Sequence, residues 1–207
     1  QIPIKLTFTS VRKIEELPER LAAFMSFETE QMAELLLADS TAEHYGFSPE
    51  TLLSMFIPNT YEVYWTDSPQ KLLNRMKQEY DLFWSSERVN KADALGLSKT
   101  QVSTLASIVQ AEDTQMKEAD RIAGVYVNRL TQSIPLQADP TVVYAVGDFS
   151  IRRVLTVHTQ KDSPYNTYKN KGLPPGPINL PSIAAIDAVL NYEKHDFLYF
   201  CAKADFS

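Results

Sequence analysis

No stretch limits the architecture of this chain more tightly than Ser98 to Thr114. Ser98 and Gln101 stand in the S-x-x-Q relation of a capping box, which predicts a helix starting here. Val102, Leu105, Ala106 and Val109 then recur at the i, i+3, i+4, i+7 spacing of a buried face. At about 100° per residue, Gln110 falls at one edge of that apolar arc and Glu112 near the other, so the spacing predicts that the two do not meet on one side. A polar group delivered to the rim of a packed helix is well placed to face a cleft.

A second organising stretch is Tyr165-Asn-Thr-Tyr168 with Gly172-Leu-Pro-Pro-Gly-Pro-Ile178, a long loop that prolines stiffen and glycines let turn sharply. It lacks the G-x-x-x-x-G-K-S/T spacing of a phosphate cradle, so nucleotide chemistry has no support. A rigid loop bearing Tyr and Asn beside such a helix suits a polymer-binding cleft. Tyr165 and Asn166 are the leading candidate substrate contacts, with Thr167 and Tyr168 beside them. Before this loop, Asp139 precedes Pro140, which disfavours helical backbone at Asp139 and predicts a turn, with a short helix opening at Pro140. Gln137, Asp139 and Thr141 could line the cleft and hydrogen-bond hydroxyl or acetamido groups; Asp139 could equally cap that helix.

The chain reads as α+β. Residues 1–60 form a small α/β unit: an alternating strand over 2–9, then helices over 14–26, with Ile14, Leu17, Leu21 and Phe24 inward, and over 29–38. Residues 61–96 link, with an aromatic-rich extended run over 56–65 that suits either a core or sugar rings, and a helix capped by Ser68. Residues 97–207 form a mixed helix/strand domain with helices over 98–114, 116–130 and 182–190 and a last apolar strand over 197–202. Asn128 and Arg129 close the second of these helices, as satisfied helix ends or as site residues. With 207 residues, 44% of them hydrophobic, and no low-complexity run, a packed core is assured.

A net charge of −6 argues against nucleic-acid binding, which needs basic patches to neutralise phosphates. No apolar run approaches the roughly 20 residues of a membrane span. Cys201 is the one cysteine and reads as a buried thiol; His44, His158 and His195 lack metal-ligand spacing, so neither a metal nor a cofactor is implied.

Four segments carry a family resemblance: L-A-S-I-V-x-x-E at 105–112, V-Y-V-N-R-L at 125–130, P-L-Q-A-D-P-T at 135–141, and S-P-Y-N-T-Y with G-L-P-P-G-P-I between 163 and 178. In this order they resemble the MltG/YceG family of endolytic murein transglycosylases, over roughly 97–200. The resemblance implies a lytic transglycosylase that cleaves the β-1,4 bond between N-acetylmuramic acid and N-acetylglucosamine and leaves 1,6-anhydro ends. It also implies peptidoglycan strands as substrate, cell-wall synthases as partners, and a single N-terminal anchor in the cytoplasmic membrane with the catalytic part outside the cytoplasm. Residues 1–60 then correspond to a LysM-like subdomain truncated at its N-terminal edge, and the catalytic domain is truncated at its C-terminus. Asn59 stands where the family's P-D-T-Y segment more usually has Asp.

The family's catalytic acid is the first Glu of an I-V-E-x-E run. Here that position is Gln110, and the second Glu is Glu112. A carboxylic acid can protonate a leaving oxygen and later accept a proton, whereas an amide of the same shape does neither at neutral pH. The resemblance therefore implies an active scaffold carrying an inactivating, engineered Glu-to-Gln change. Two alternatives stay open: a naturally silent glycan-binding or scaffold protein of cell-wall synthesis, and a glycan hydrolase in which Glu112 is the acid. In the transglycosylase mechanism the muramyl C6 hydroxyl is the nucleophile, so one carboxyl at position 110 would serve both proton transfers, unlike the carboxylate pair of ordinary glycosidases.

Overall fold

The computed structural model describes residues 3–9 and 11–200. Strand β1 (Pro3–Thr7) pairs antiparallel with β2 (Thr60–Tyr64), Leu6 opposite Tyr61 and Ile4 opposite Val63. Period-2 alternation sorts the strand residues between core and surface, whereas Phe56 and Trp65 lie outside β2 and are placed by the turns around it. Leu6, Tyr61 and Val63 point inward with Phe8 and Phe56, while Tyr64 and Trp65 face out. Phe8 stacks on Tyr61 with ring centroids 5.6 Å apart. The aromatic run therefore divides between core and surface.

Between these strands lie two 3-10 turns, Ile14–Glu16 and Leu52–Met55, and three helices: α1 (Leu17–Ala22), α2 (Thr29–Leu36) and α3 (Asp39–Tyr45). The first helix is shorter than its apolar pattern predicts, and Phe24 is 43% exposed. Phe24 and Met25 donate to the carbonyls three residues back, Leu21 and Ala22, so the chain tightens into 3-10 geometry. At about 120° per residue the inward position passes from Phe24 to Met25. Helix α3 has little apolar periodicity of its own, which is why the sequence did not announce it.

Ser68 caps α4 (Pro69–Phe83), its Oγ accepting from Lys71 N at 3.3 Å. A separate α5 (Ser86–Ala94) follows and ends at Gly96, whose φ of +67° few other residues adopt readily. Helix α6 (Lys99–Glu112) has both halves of its capping box: Ser98 Oγ accepts from Gln101 N at 3.2 Å, and Gln101 Oε1 accepts from Ser98 N at 2.8 Å. Every residue from Val102 to Val109 is buried, so α6 is enclosed on all sides rather than along one face.

Helices α7 (Ala119–Thr131) and α10 (Ile183–Leu190) pack against α6; α8 (Asp139–Val146) and the short α9 (Thr156–Thr159) complete the second half. Helix α7 starts later than its pattern predicts, because Met116 turns the chain at a φ of +56°. A single hydrophobic cluster includes Leu6, Leu17 and Phe56 together with Val102, Leu105 and Ile186. Leu180 N also donates to Val11 O at 2.7 Å, tying the early chain to the late one.

The strand expected over 197–202 does not form within 197–200, and Cys201 lies outside the described residues. The backbone carbonyls of His195 and Phe197 are instead taken by the Asn128 amide, at 2.7 and 3.0 Å. Among the described residues the only sheet is β1–β2, so the second half is helices and loops where a helix/strand mixture was expected. None of the described helices is long and apolar enough to cross a membrane.

Candidate active-site groove

A groove of about 630 Å³ opens at the C-terminal end of α6, bounded by α8 and by the chain from Val11 to Arg20. Gln110, Glu112 and Asp139 all line it. The expectation that Gln110 and Glu112 could not share a side is thus overturned. The angular argument holds along a helix, but this groove lies off the helix end, where Gln110, Ala111, Glu112 and Thr114 all reach it.

Gln110 is locked to the segment that follows the proline-rich loop. Its Nε2 donates to Asn179 Oδ1 at 3.0 Å and to Leu180 O at 3.2 Å, and its Oε1 accepts from Ser182 N at 2.7 Å. One helical turn earlier, Ser107 continues the clamp: its Oγ accepts from Ile178 N at 3.0 Å and its carbonyl accepts from Asn179 Nδ2 at 2.7 Å. Because Asn179 spends its amide N–H on Ser107, its Oδ1 is turned to Gln110 as an acceptor. Among these partners position 110 meets two acceptors and one backbone donor. A protonated carboxyl of the same shape would satisfy that set, donating to an acceptor and accepting from Ser182 N. The acceptors would raise its pKa, while Ser182 N, at the start of α10, would receive the carboxylate once the proton leaves.

Glu112 is a second carboxyl in the groove. Burial pushes it up to about 7, against the lowering effect of a 2.9 Å hydrogen bond from Tyr126 OH and with a further upward push from Asp139. Such a group is half-protonated near neutrality, as a general acid requires. The Tyr126 hydroxyl is itself held well above its ordinary range, by burial first and by Glu112 second. Asp139 opens α8 without capping it, and its Oδ1 accepts from Tyr168 OH at 2.6 Å. Behind them Arg129 is buried and donates to Leu136 O and Gln137 Oε1, each at 3.1 Å. Gln137 holds a left-handed φ of +51°, and its side chain is spent on Arg129 rather than on the groove.

The loop residues expected to touch substrate divide. Asn166 is fully buried; its Nδ2 donates to Thr159 O and Lys161 O, and its Oδ1 accepts from Tyr168 N. Thr141 and Thr167 are also sealed in, sharing a 2.8 Å hydrogen bond while Thr167 Oγ1 accepts from Ala138 N at 3.0 Å. These three brace the loop against α8 from the inside. Tyr165 lies against Tyr144, ring centroids 4.7 Å apart, and lines a separate smaller cleft. Tyr168 reaches the site through Asp139. Arg12, Arg20 and Arg152, which also line the groove, were not anticipated. Arg20 lies in a stretch read as helix, and neither Arg12 nor Arg152 stands in a spacing that marks a site, so only the fold brings them together.

The family model described as the YceG-like family matches residues 1–207. The chain belongs to the YceG-like family. Among curated relatives, this YceG-like chain is similar to an endolytic murein transglycosylase of Bacillus subtilis, 45% identical over 109 residues that cover 53% of this chain and 30% of the relative. An endolytic murein transglycosylase of Streptococcus pneumoniae is 35% identical over 153 residues, 70% of this chain and 27% of the relative. The matched region thus spans less than a third of either curated relative. The crystal structure of a yceG-like protein from Listeria monocytogenes superposes with a TM-score of 0.79 at 30% identity, covering 97% of this chain and 70% of that one.

Proposed function

We propose that this YceG-like chain carries the catalytic groove of an endolytic peptidoglycan lytic transglycosylase, silenced by the amide at position 110. The observation that carries the reading is the setting of Gln110: on a groove wall, facing two acceptors and a helix-start N–H. A glutamic acid there would protonate the bridging oxygen between muramyl and glucosaminyl units. As carboxylate, steadied by Ser182 N, it would take the proton of the muramyl C6 hydroxyl as that oxygen closes on C1 to give the 1,6-anhydro end. Asp139 offers a hydrogen-bonding edge for sugar hydroxyls, fixed by Tyr168 behind it.

On this reading the protein works on glycan strands at the outer face of the cytoplasmic membrane, anchored there and beside cell-wall synthases. The unit made of β1–β2 with α1, α2 and α3 serves as a LysM-like glycan-binding module on this reading, while the names of the curated relatives support the transglycosylase assignment alone. The test is to restore the carboxyl: Gln110→Glu should release anhydro-ended muropeptides from purified peptidoglycan, resolved by mass spectrometry. A folded Gln110→Glu protein that releases none would sink the proposal.

A second reading is favoured by Glu112, whose pKa near 7 and place in the groove suit a general acid without any substitution. It requires that the chain as it stands release fragments with reducing ends, and that Glu112→Gln abolish them.

A further inference from the structure

The groove is less acidic than the chain that forms it. The protein carries a net −6, yet the lining sets Arg12, Arg20 and Arg152 in even number against Glu16, Glu112 and Asp139. Arg20 is the only one of the three arginines with a carboxylate partner among the described residues, Glu16 at 3.8 Å. Glu16 itself turns its other oxygen to the backbone N–H groups of Arg12 and Lys13, at 3.1 and 3.0 Å. The Arg12 guanidinium lies over the Phe149 ring, 4.7 Å from its centroid, which orients it and leaves its N–H edge free for a ligand. The Arg152 guanidinium has no hydrogen-bond or ion-pair partner among the described residues.

Building this into a groove needs a ligand with negative charge at its edge. Of the two sugars in peptidoglycan, glucosaminyl units are neutral. Muramyl units carry a lactyl group on C3 that ends either in a free carboxylate or in a stem peptide with carboxylates of its own.

We infer that Arg12 and Arg152 form an anion subsite for the carboxylate borne by the C3 substituent of a muramyl residue, so that the groove selects muramyl-containing strands over neutral glucosaminyl polymers. The inference rests on the proposed glycan function. Guanidinium forks match carboxylate geometry bidentately, and the Phe149 face limits the entropy Arg12 loses on pairing. Both arginines are exposed, so each pair contributes modestly and is weakened by salt.

The chain as it stands suits a binding measurement by calorimetry, with three probes of equal length: stem-peptide-bearing strands, peptide-free muramyl strands, and chito-oligosaccharide. Muramyl strands should bind more tightly than chito-oligosaccharide, with the advantage shrinking as salt rises. Arg152→Gln should cost about threefold and Arg12→Gln/Arg152→Gln about tenfold on the muramyl probes, with chito-oligosaccharide binding unchanged. If only one muramyl probe loses affinity, that probe identifies which carboxylate is read. Because the exposed Arg152 side chain has no hydrogen-bond or ion-pair partner among the described residues, its single variant reports binding rather than folding.

Equal affinity for all three probes, or an equal loss on all three in the variants, overturns the subsite. Release of anhydro ends by Gln110→Glu at an unchanged rate and preference after both arginine substitutions overturns the subsite and leaves the transglycosylase reading standing. Absence of binding to every probe together with a silent Gln110→Glu protein overturns both.

Discussion

Ser182 N donates to Gln110 Oε1 across 2.7 Å, joining residues that lie 72 positions apart. Ser182 is also the cap of α10, its Oγ accepting from Ala185 N at 3.2 Å. The side chain at position 110 therefore sits at the positive end of one helix while projecting from the last turn of another, and that junction shapes the first prediction.

Gln110→Glu conserves shape, so the fold should persist and the Ser182 N–H should remain paired. Activity on peptidoglycan should appear, and it should fall as pH rises past the pKa of the new carboxyl, because the protonated form is the donor. A pH series of anhydro-product release checks this; activity that increases steadily into alkaline solution would argue against position 110 as the acid.

Glu112→Gln tests the burial of the second carboxyl. In the folded chain Glu112 titrates near 7, above its ordinary 4.5, so the folded state holds a proton that the unfolded state has lost between those values. Stability should accordingly decline as pH rises from about 4.5 to about 7 and stay low above. The substitution removes this dependence and should stabilise the protein by about 1–3 kcal/mol at pH 8 while changing little at pH 4. Urea unfolding at the two pH values measures the difference.

Thr167→Val keeps the side-chain shape and deletes the acceptor for Ala138 N, a buried bond of 3.0 Å. Leaving that N–H unpaired should cost about 1–3 kcal/mol, read as a lower urea midpoint at unchanged slope. A Gln110→Glu/Thr167→Val protein should also lose activity, since the loop and α8 are braced at this point.

Gly176→Ala would drive a Cβ into the Glu50 carbonyl oxygen. The clash is with backbone, so the loop must shift, and the expected cost is about 1–3 kcal/mol. Because Ile178 and Asn179 are clamped to Ser107 two and three residues on, the shift should also lower activity in the Gln110→Glu background. Kinetics at a temperature where both proteins are folded separate the two effects.

Local chemistry was legible in the sequence where local rules govern it. The Ser98–Gln101 box, the Ser68 cap and the burial of Val102, Leu105, Ala106 and Val109 all follow from spacing alone, though α6 proves buried on its other sides too. What could not be read was set by long-range contacts. Phe24 left the core because a 3-10 turn changed the residue angle. Asn166, Thr141 and Thr167 look like sugar-binding groups by composition, yet packing sealed them inside, where their polar atoms had to find backbone partners. Gln110 and Glu112 share a groove because it opens at the end of α6, and the position of a helix end relative to a groove is not encoded in angular spacing. The arginine lining comes from segments some 140 residues apart and could be seen only once folded.

The Leu180 to Val11 hydrogen bond carries a practical lesson for anyone dissecting the molecule. One bank of the groove is supplied by the first twenty residues and the other by residues beyond 109, so a fragment beginning at 61 or 97 would keep its carboxyl bank and lose Arg12 and Arg20. Such a piece should need its severed partner added back before it grips a strand, and strand binding regained on mixing the two halves would record that dependence.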